Sequence, residues 1–210
     1  MAELFWEMSE RTIVRKREAR HEQESLPDPH LVKVKQGERV RIDIHANVTF
    51  MPEGQHLKQV EISSNMPDAG NWTLISDEGT AVGGRATAPA PLMYFAAGLG
   101  LCLMTHVEML AKARNFQIDK ARLEQRCSFS RTLDIGGLDP ALVYGKGEEM
   151  QVNLLLESPE TPERLAEFLG WCRQSCMALQ SLAGATAIRT TLFINDEEIG
   201  DVGGLGPHEG

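Results

Sequence analysis

The chain has no run of twenty apolar residues, no Cys-x-x-Cys knuckle, no internal repeat and no excess of basic charge. Each absence closes a class. The longest apolar run, Leu92 to Met104, is shorter than the about 20 residues a bilayer-crossing helix needs. The first residues lack a charged segment followed by a continuous apolar one, so no secretory signal is read and a cytoplasmic protein is expected. In that compartment the four cysteines, Cys102, Cys127, Cys172 and Cys176, are not expected to form structural disulfides; any disulfide would be catalytic or sensory. Without paired knuckles a structural zinc site is not expected either, and Cys172, Cys176 and His106 are only a minor alternative as metal ligands. No metal and no cofactor is assigned. A formal charge of -9 argues against a nucleic-acid or anionic-membrane partner. The one basic cluster, TIVRKREAR at 12–20, is followed at once by acidic residues and reads as a solvated segment.

What is present is ordinary for a globular protein. With 210 residues, 42% of them apolar and 24% charged, the chain suits one domain with extensions. Residues 1–29 are charged and interrupted by Pro27 and Pro29, and read as an N-terminal extension. Residues 30–196 carry the domain, and 197–210 read as a flexible glycine-rich tail. From His30 to Ser76, alternating runs bounded by Pro, Gly, Asn and Asp predict a small antiparallel sheet. The linker DEGTAVGGRATAPAP then leads into a helix from Pro91 to about Asn115. Its first half is apolar all round, which predicts burial on every side. Gly98 and Gly100 within it predict close approach of a second helix or a partner subunit. In its second half Thr105, Glu108, Lys112 and Asn115 share a polar side, and Cys102, His106, Met109, Leu110 and Ala113 the other.

Next, ARLEQRCSFSRTL predicts a strand with Leu123, Cys127, Phe129 and Leu133 on one face, and EEMQVNLLLES another. Thr161 followed by Pro162 marks a helix start. That helix is expected to reach Gly184 with Leu165, Phe168, Leu169, Cys172, Cys176 and Leu179 on one stripe. TAIRTTLFIN predicts a final strand. This order of elements is an α+β arrangement.

Two cysteines thus stand on the inward stripes of two helices, and packed helices bring such stripes together. A thiol beside a second thiol can be oxidised to a sulfenic acid, captured as a disulfide and reset by an external thiol. Such a pair needs an apolar pocket and a cationic group, because apolar burial alone raises a thiol pKa. Against this stands the plain alternative that cysteine is a small, easily buried hydrophobe. His106, one turn after Cys102, is a candidate hydrogen-bond partner or base for that thiol. Arg85 is a candidate source of positive charge. Cys127 is read as packing, and Tyr94 and Trp171 as pocket or core walls.

From Ala90 to Cys102, and again around Cys176, the sequence resembles the OsmC/Ohr family, whose members include thiol-dependent hydroperoxide reductases. Pro91, the run FAAGLGL and Cys102 follow the family's central-helix pattern without a gap, and Cys176 precedes the last strand as the family's second cysteine does. The resemblance implies antiparallel sheets around a long buried helix, a second cysteine-bearing helix, and an intertwined homodimer with active sites at the subunit interface. It implies Cys102 as reactive thiol and Cys176 as resolving thiol, with Cys172 as the competing resolver. It also implies an organic hydroperoxide substrate and an external thiol reductant. Two positions depart from the pattern. Family peroxidases carry a glutamate one or two residues after the helix-opening proline, where this chain has Leu92 and Met93, and a proline after the second cysteine, where it has Met177. The departures open a second reading, a non-peroxidatic relative that binds a small hydrophobic or electrophilic ligand. A third reading makes residues 1–29 an interaction segment with the domain as scaffold.

Overall fold

A computed structural model describes residues 13–19, 25–26, 31–33, 35, 37–52, 54–132, 136–137, 139, 142–184 and 186–201. The chain divides into two compact units, Met1–Tyr94 and Phe95–Gly210.

The first unit is built on a four-stranded antiparallel sheet of β1 (Val14–Arg17), β2 (Ile44–Phe50), β3 (Lys58–Ser64) and β4 (Asn71–Ser76), in the spatial order β1-β4-β3-β2. Two features differ from the sequence expectation. Val14–Arg17, placed by composition within a solvated extension, pairs with Asn71–Leu74 as an edge strand. Arg17 there forms an ion pair with Glu61 at 2.6 Å, so this basic residue is spent inside the unit. The alternating residues before Ile44, by contrast, form no strand among the described positions. Buried Asn65 explains why: its side chain accepts from the Asp43 amide at 2.9 Å and donates to the Arg41 carbonyl at 3.1 Å. The side chain thereby takes backbone groups that a ladder would have used. On β2 the apolar residues Ile44, Val48 and Phe50 face outward, Phe50 being 80% exposed.

The helix α1 (Pro91–Arg114) has its first four residues in the first unit and the rest in the second, where it is followed by a two-stranded antiparallel sheet of β5 (Lys120–Arg131) and β6 (Gly145–Glu157). Then come α2 (Pro162–Ser175), α3 (Met177–Ala183) and a hairpin of β7 (Thr191–Ile194) and β8 (Glu197–Asp201). Asn115, at φ 53°, ends α1 in the left-handed conformation, and the Phe116 amide reaches back to the Ala111 carbonyl at 3.0 Å, the Schellman closure. Along β5, Ala121 and Leu123 sit opposite Leu156 and Leu154 on the inner face, while Arg122, Glu124 and Arg126 point to solvent. Phe129 departs from the expected face because the register shifts between Ser128 and Phe129; Leu133 lies outside the described residues. Thr161 caps α2 as its sequence predicts, accepting from the Arg164 amide at 3.4 Å. Asn195 and Asp196, both at positive φ, make the tight turn that joins β7 to β8. Glu197–Asp201 is therefore strand where a flexible tail is expected, and residues 202–210 lie outside the described set.

The core of this unit joins Leu103 and Val107 of α1, Phe116, and Phe168, Cys172 and Cys176 of the α2–α3 region, packed on Leu123, Val152 and Leu154 of the sheet. Phe116 stacks on Phe168 at 4.7 Å and meets Trp171 edge-on at 6.0 Å, so Trp171 is a core wall as predicted. Within one chain, α1 is not buried on all sides. It buries Leu99, Gly100, Leu103 and Val107, while Leu92 (52%), Met93 (64%), Phe95, Leu101 (70%) and Met109 are exposed. The inward stripe is therefore 99-103-107 rather than one through Met109 and Ala113, which leaves Cys102 and His106 at its margin. The Gly100 Cα faces Gln125, where an added Cβ would come within 3.0 Å of Oε1; Gly98 faces open space. Length and composition alone would let this helix cross a membrane. However, its buried stripe packs on a sheet whose outer face is charged and whose edges a hydrocarbon layer would leave unpaired.

Candidate active site

Cys102 lies in the fourth turn of α1, half-buried beside the Leu99–Leu103–Val107 stripe. Cys176 comes from a break that the sequence does not announce. The helix expected to run unbroken to Gly184 stops at Ser175 and restarts at Met177, with Cys176 in extended conformation at φ -72° and ψ 105°. The Ser175 hydroxyl donates to the Trp171 carbonyl at 2.8 Å and to the Cys172 carbonyl at 3.2 Å. Such back-bonding bends a helix end. The bend turns Cys176 Sγ to 3.6 Å from Cys102 Sγ, with the Cys176 thiol as donor.

Burial separates the three thiols of this region. Cys172 and Cys176 have no exposed surface, whereas Cys102 is partly accessible. Burial pushes the Cys172 thiol up to about 11, and the nearby Cys176 charge adds to the rise. Burial also raises Cys176; the Leu179 and Ala178 amides oppose the rise, and the hydrogen bond to Cys102 reinforces it. Both residues are thus held as neutral thiols near pH 7, and Cys102 is the sulfur open to an incoming reagent. Cys127 sits half-buried on β5 opposite Met150, a packing position.

His106 does not hydrogen-bond the Cys102 sulfur. Its Nδ1 lies 2.8 Å from the Cys102 carbonyl oxygen, one helical turn back. A carbonyl can only accept, so Nδ1 is the donor in this contact. A His106 ring nitrogen and the two sulfurs nevertheless lie within 4.8 Å of one another. The cluster with metal-ligand character therefore contains Cys102, not Cys172 as the sequence alternative had it. In the same unit a cavity of about 270 Å³ is lined by Leu103, Met150, Val152, Leu154, Leu169, Leu179 and, as its one charged residue, Arg173; neither sulfur of the pair lines it. Leu103 adjoins Cys102 in sequence, and the Leu179 amide faces Cys176.

Arg85 belongs to the first unit, in the loop after β4. Buried Asp77 organizes that loop, accepting from the amides of Glu78, Arg85 and Thr87 and from the Thr87 hydroxyl at 2.7 Å. Burial pushes the Asp77 carboxyl up, but these four bonds outweigh it and hold the group below its usual range. Gly84 is required in the same loop, since any Cβ there would lie 2.0 Å from the Glu78 carbonyl oxygen. Tyr94 donates to the Ile75 carbonyl at 2.7 Å and is an anchor within the first unit. Sequence reasoning missed Asp77; an aspartate before a Gly-rich turn with a threonine ten residues on was its only sign.

The family model described as OsmC-like protein matches residues 83–191, which holds Arg85 and both cysteines of the pair. The chain belongs to the OsmC-like family. Among solved structures it is similar to an OsmC-like hydroperoxide resistance protein from Jannaschia sp. CCS1, at 22% identity and a TM-score of 0.49, covering 77% of this chain and 97% of that one. It is also similar to an OsmC-like protein from Mycoplasma pneumoniae, at 20% identity and a TM-score of 0.48, covering 70% and 90%. A third is the organic hydroperoxide resistance protein OhrB of Bacillus subtilis, at 21% identity and a TM-score of 0.39, covering 67% and 91%. No curated protein matches the chain significantly.

Proposed function

We propose that this OsmC-like protein reduces organic hydroperoxides with Cys102 as the attacking thiol and Cys176 as the resolving thiol. The observation that carries the reading is the 3.6 Å separation of the two sulfurs, one accessible and one sealed. The Cys102 thiolate attacks the terminal oxygen of the hydroperoxide, the O–O bond breaks, and the alcohol leaves with a proton. Cys102 is then a sulfenic acid, and the Cys176 sulfur displaces its hydroxyl as water, forming the disulfide. An external dithiol restores both thiols by exchange and leaves as its own disulfide. The largely aliphatic cavity reached through Leu103, the sequence neighbour of Cys102, is the proposed seat for the apolar part of an organic substrate. The chemistry asks for a reducing compartment, and we assign the protein to the cytoplasm on that ground.

Turnover of an organic hydroperoxide with a dithiol reductant tests this directly. Cys102→Ser is expected to abolish it. Cys176→Ser is expected to stop cycling with the dithiol while leaving one sulfenic acid per chain, which a dimedone adduct would report. Equal rates for all three proteins would end the proposal.

The active unit is proposed to be a homodimer. The exposed Leu92, Met93, Phe95 and Leu101 on α1, and Ile44, Val48 and Phe50 on β2, are apolar surface that a second copy would cover. Light scattering coupled to size exclusion measures this, with a mass near 23.2 kDa counting against it. A second reading is favoured by one observation: Leu92 and Met93 place exposed apolar side chains where the resemblance calls for an acid. In that reading the cavity holds a hydrophobic ligand without redox turnover, and such ligands would raise the melting temperature while Cys102 alkylates slowly.

A further inference from the structure

The reduced thiol pair is also two thirds of a metal-ligand set. We propose that Cys102, Cys176 and His106 form a Cys2His site for a thiophilic divalent cation of the zinc type, and that its occupation withdraws both thiols from redox chemistry. The three ligand atoms lie within 4.8 Å of one another. A tetrahedral zinc ion with Zn–S bonds of about 2.3 Å holds two sulfurs about 3.8 Å apart, and these stand at 3.6 Å already. The imidazole has to close by about 1 Å to reach the Zn–N distance of about 2.0 Å.

The histidine is set up for that role. Its Nδ1 donates to the Cys102 carbonyl at 2.8 Å, which orients the ring and, in the neutral imidazole a metal would bind, leaves Nε2 as the nitrogen with a lone pair to give. This outer hydrogen bond is the usual support of a metal-bound histidine. Cys102 and His106 are one turn apart on a rigid helix, so two of the three ligands move as one piece. The donor set is soft, which selects zinc-type ions over magnesium or calcium. Charge points the same way. Two thiolates this close in an apolar core repel each other strongly, whereas a divalent cation between them makes the cluster neutral. Cys176 is sealed while Cys102 and His106 are half-buried, so the fourth coordination position opens on the α1 side.

Ion binding requires both sulfurs as thiolates, and a disulfide consumes both, so the two states exclude each other. This holds whether or not the pair turns over hydroperoxides. The test is therefore made without peroxide, on the full-length reduced protein titrated with Zn2+ against a chromophoric chelator and with Co2+ in the spectrophotometer. One ion per chain is expected, with intense visible tetrahedral Co2+ bands and a sulfur-to-cobalt charge-transfer band. Cys102→Ser and Cys176→Ser should each weaken Zn2+ binding by about 100-fold or more, and His106→Ala by about 10-fold or more. Cys127→Ser should bind like wild type. Oxidation of the pair by a diazene, which takes two electrons and two protons to become a hydrazine, should release the ion. Alkylation of accessible Cys102 in the folded wild-type protein should also abolish the cobalt spectrum, and this arm needs no variant to fold. Failure to bind, binding that survives oxidation and alkylation, or a pale octahedral Co2+ spectrum would each overturn the proposal, and none of these bears on the hydroperoxide assay.

Discussion

Oxidation of the Cys102–Cys176 pair should stabilise the Phe95–Gly210 unit measurably. The sulfurs are 3.6 Å apart and 74 positions apart in sequence. A disulfide needs about 2.05 Å between sulfurs, so the two side chains together close by about 1.5 Å, a movement that small χ1 rotations supply. The bond would then tie a loop of about 75 residues, and the chain-entropy relation assigns such a closure about 4 kcal/mol. At about 2–4 °C per kcal/mol for a chain of this length, the melting temperature should rise by roughly 10 °C.

The assay compares calorimetric melts of reduced and mildly oxidised protein, with a non-reducing peptide map of the same oxidised sample. A peptide joining residues 102 and 176 within one chain, a melt raised on this scale, and full reversal by a dithiol are expected. Cys102→Ser and Cys176→Ser should each remove the difference. A mapped 102–176 disulfide whose melt is unchanged or lower would falsify the claim that the sulfurs are already positioned to join. A map joining Cys172 instead would reassign the resolver.

Four further outcomes follow from the same structure. Asp77 has its folded pKa below the ordinary 3.8, so its stabilisation is present above that value and lost as pH falls through the folded value; Asp77→Asn should flatten the acid limb of a stability–pH curve. Cys172 is raised from 9.0 to about 11, so its contribution is complete below pH 9 and lost as pH rises toward 11; Cys172→Ala should remove that alkaline loss in urea melts taken across the range. Phe168 has no exposed surface and stacks on Phe116, and Phe168→Ala should cost about 3–5 kcal/mol by denaturant titration. Met177→Pro should be neutral or stabilising by about 0.4–1 kcal/mol, because Met177 is half-exposed, opens α3 and follows a residue already extended.

The parts of the fold that were legible are those in which local chemistry and tertiary packing agree. Thr161-Pro162 specifies a helix start without outside help, and Ala121 and Leu123 alternate with Arg122 and Glu124 because one face of β5 is wet. Legibility failed where a distant group decided the outcome. Asn65 converts the alternating residues before Ile44 into a clamped segment from more than twenty positions away. The basic stretch at Val14–Arg17 reads as solvated until Glu61 of another strand is placed beside Arg17. The all-round apolar start of α1 predicts burial on every side, but apolar composition reports only that a face is apolar, not that the chain folds over it, and Leu92, Met93, Phe95 and Leu101 stay exposed.

The thiol pair shows the same division at finer scale. In one continuous helix, Cys172 and Cys176 would occupy the same stripe one turn apart, equivalent toward Cys102. The break at Cys176 makes them different. Cys172 stays in the stripe, sealed and held as a neutral thiol, while Cys176 leaves the helical path and its sulfur turns to Cys102, against the first amides of α3. A proline at position 177 would write such a break into the sequence, since it favours the first position of a helix and an extended residue before it. Here Met177 stands there and the break persists. It must therefore be held by what surrounds it: the Ser175 hydroxyl on the preceding turn, and the meeting of the two sulfurs. The two sulfurs thus stand 3.6 Å apart without a proline at position 177, because the contacts around Cys176 supply the extended conformation that a following proline would otherwise favour.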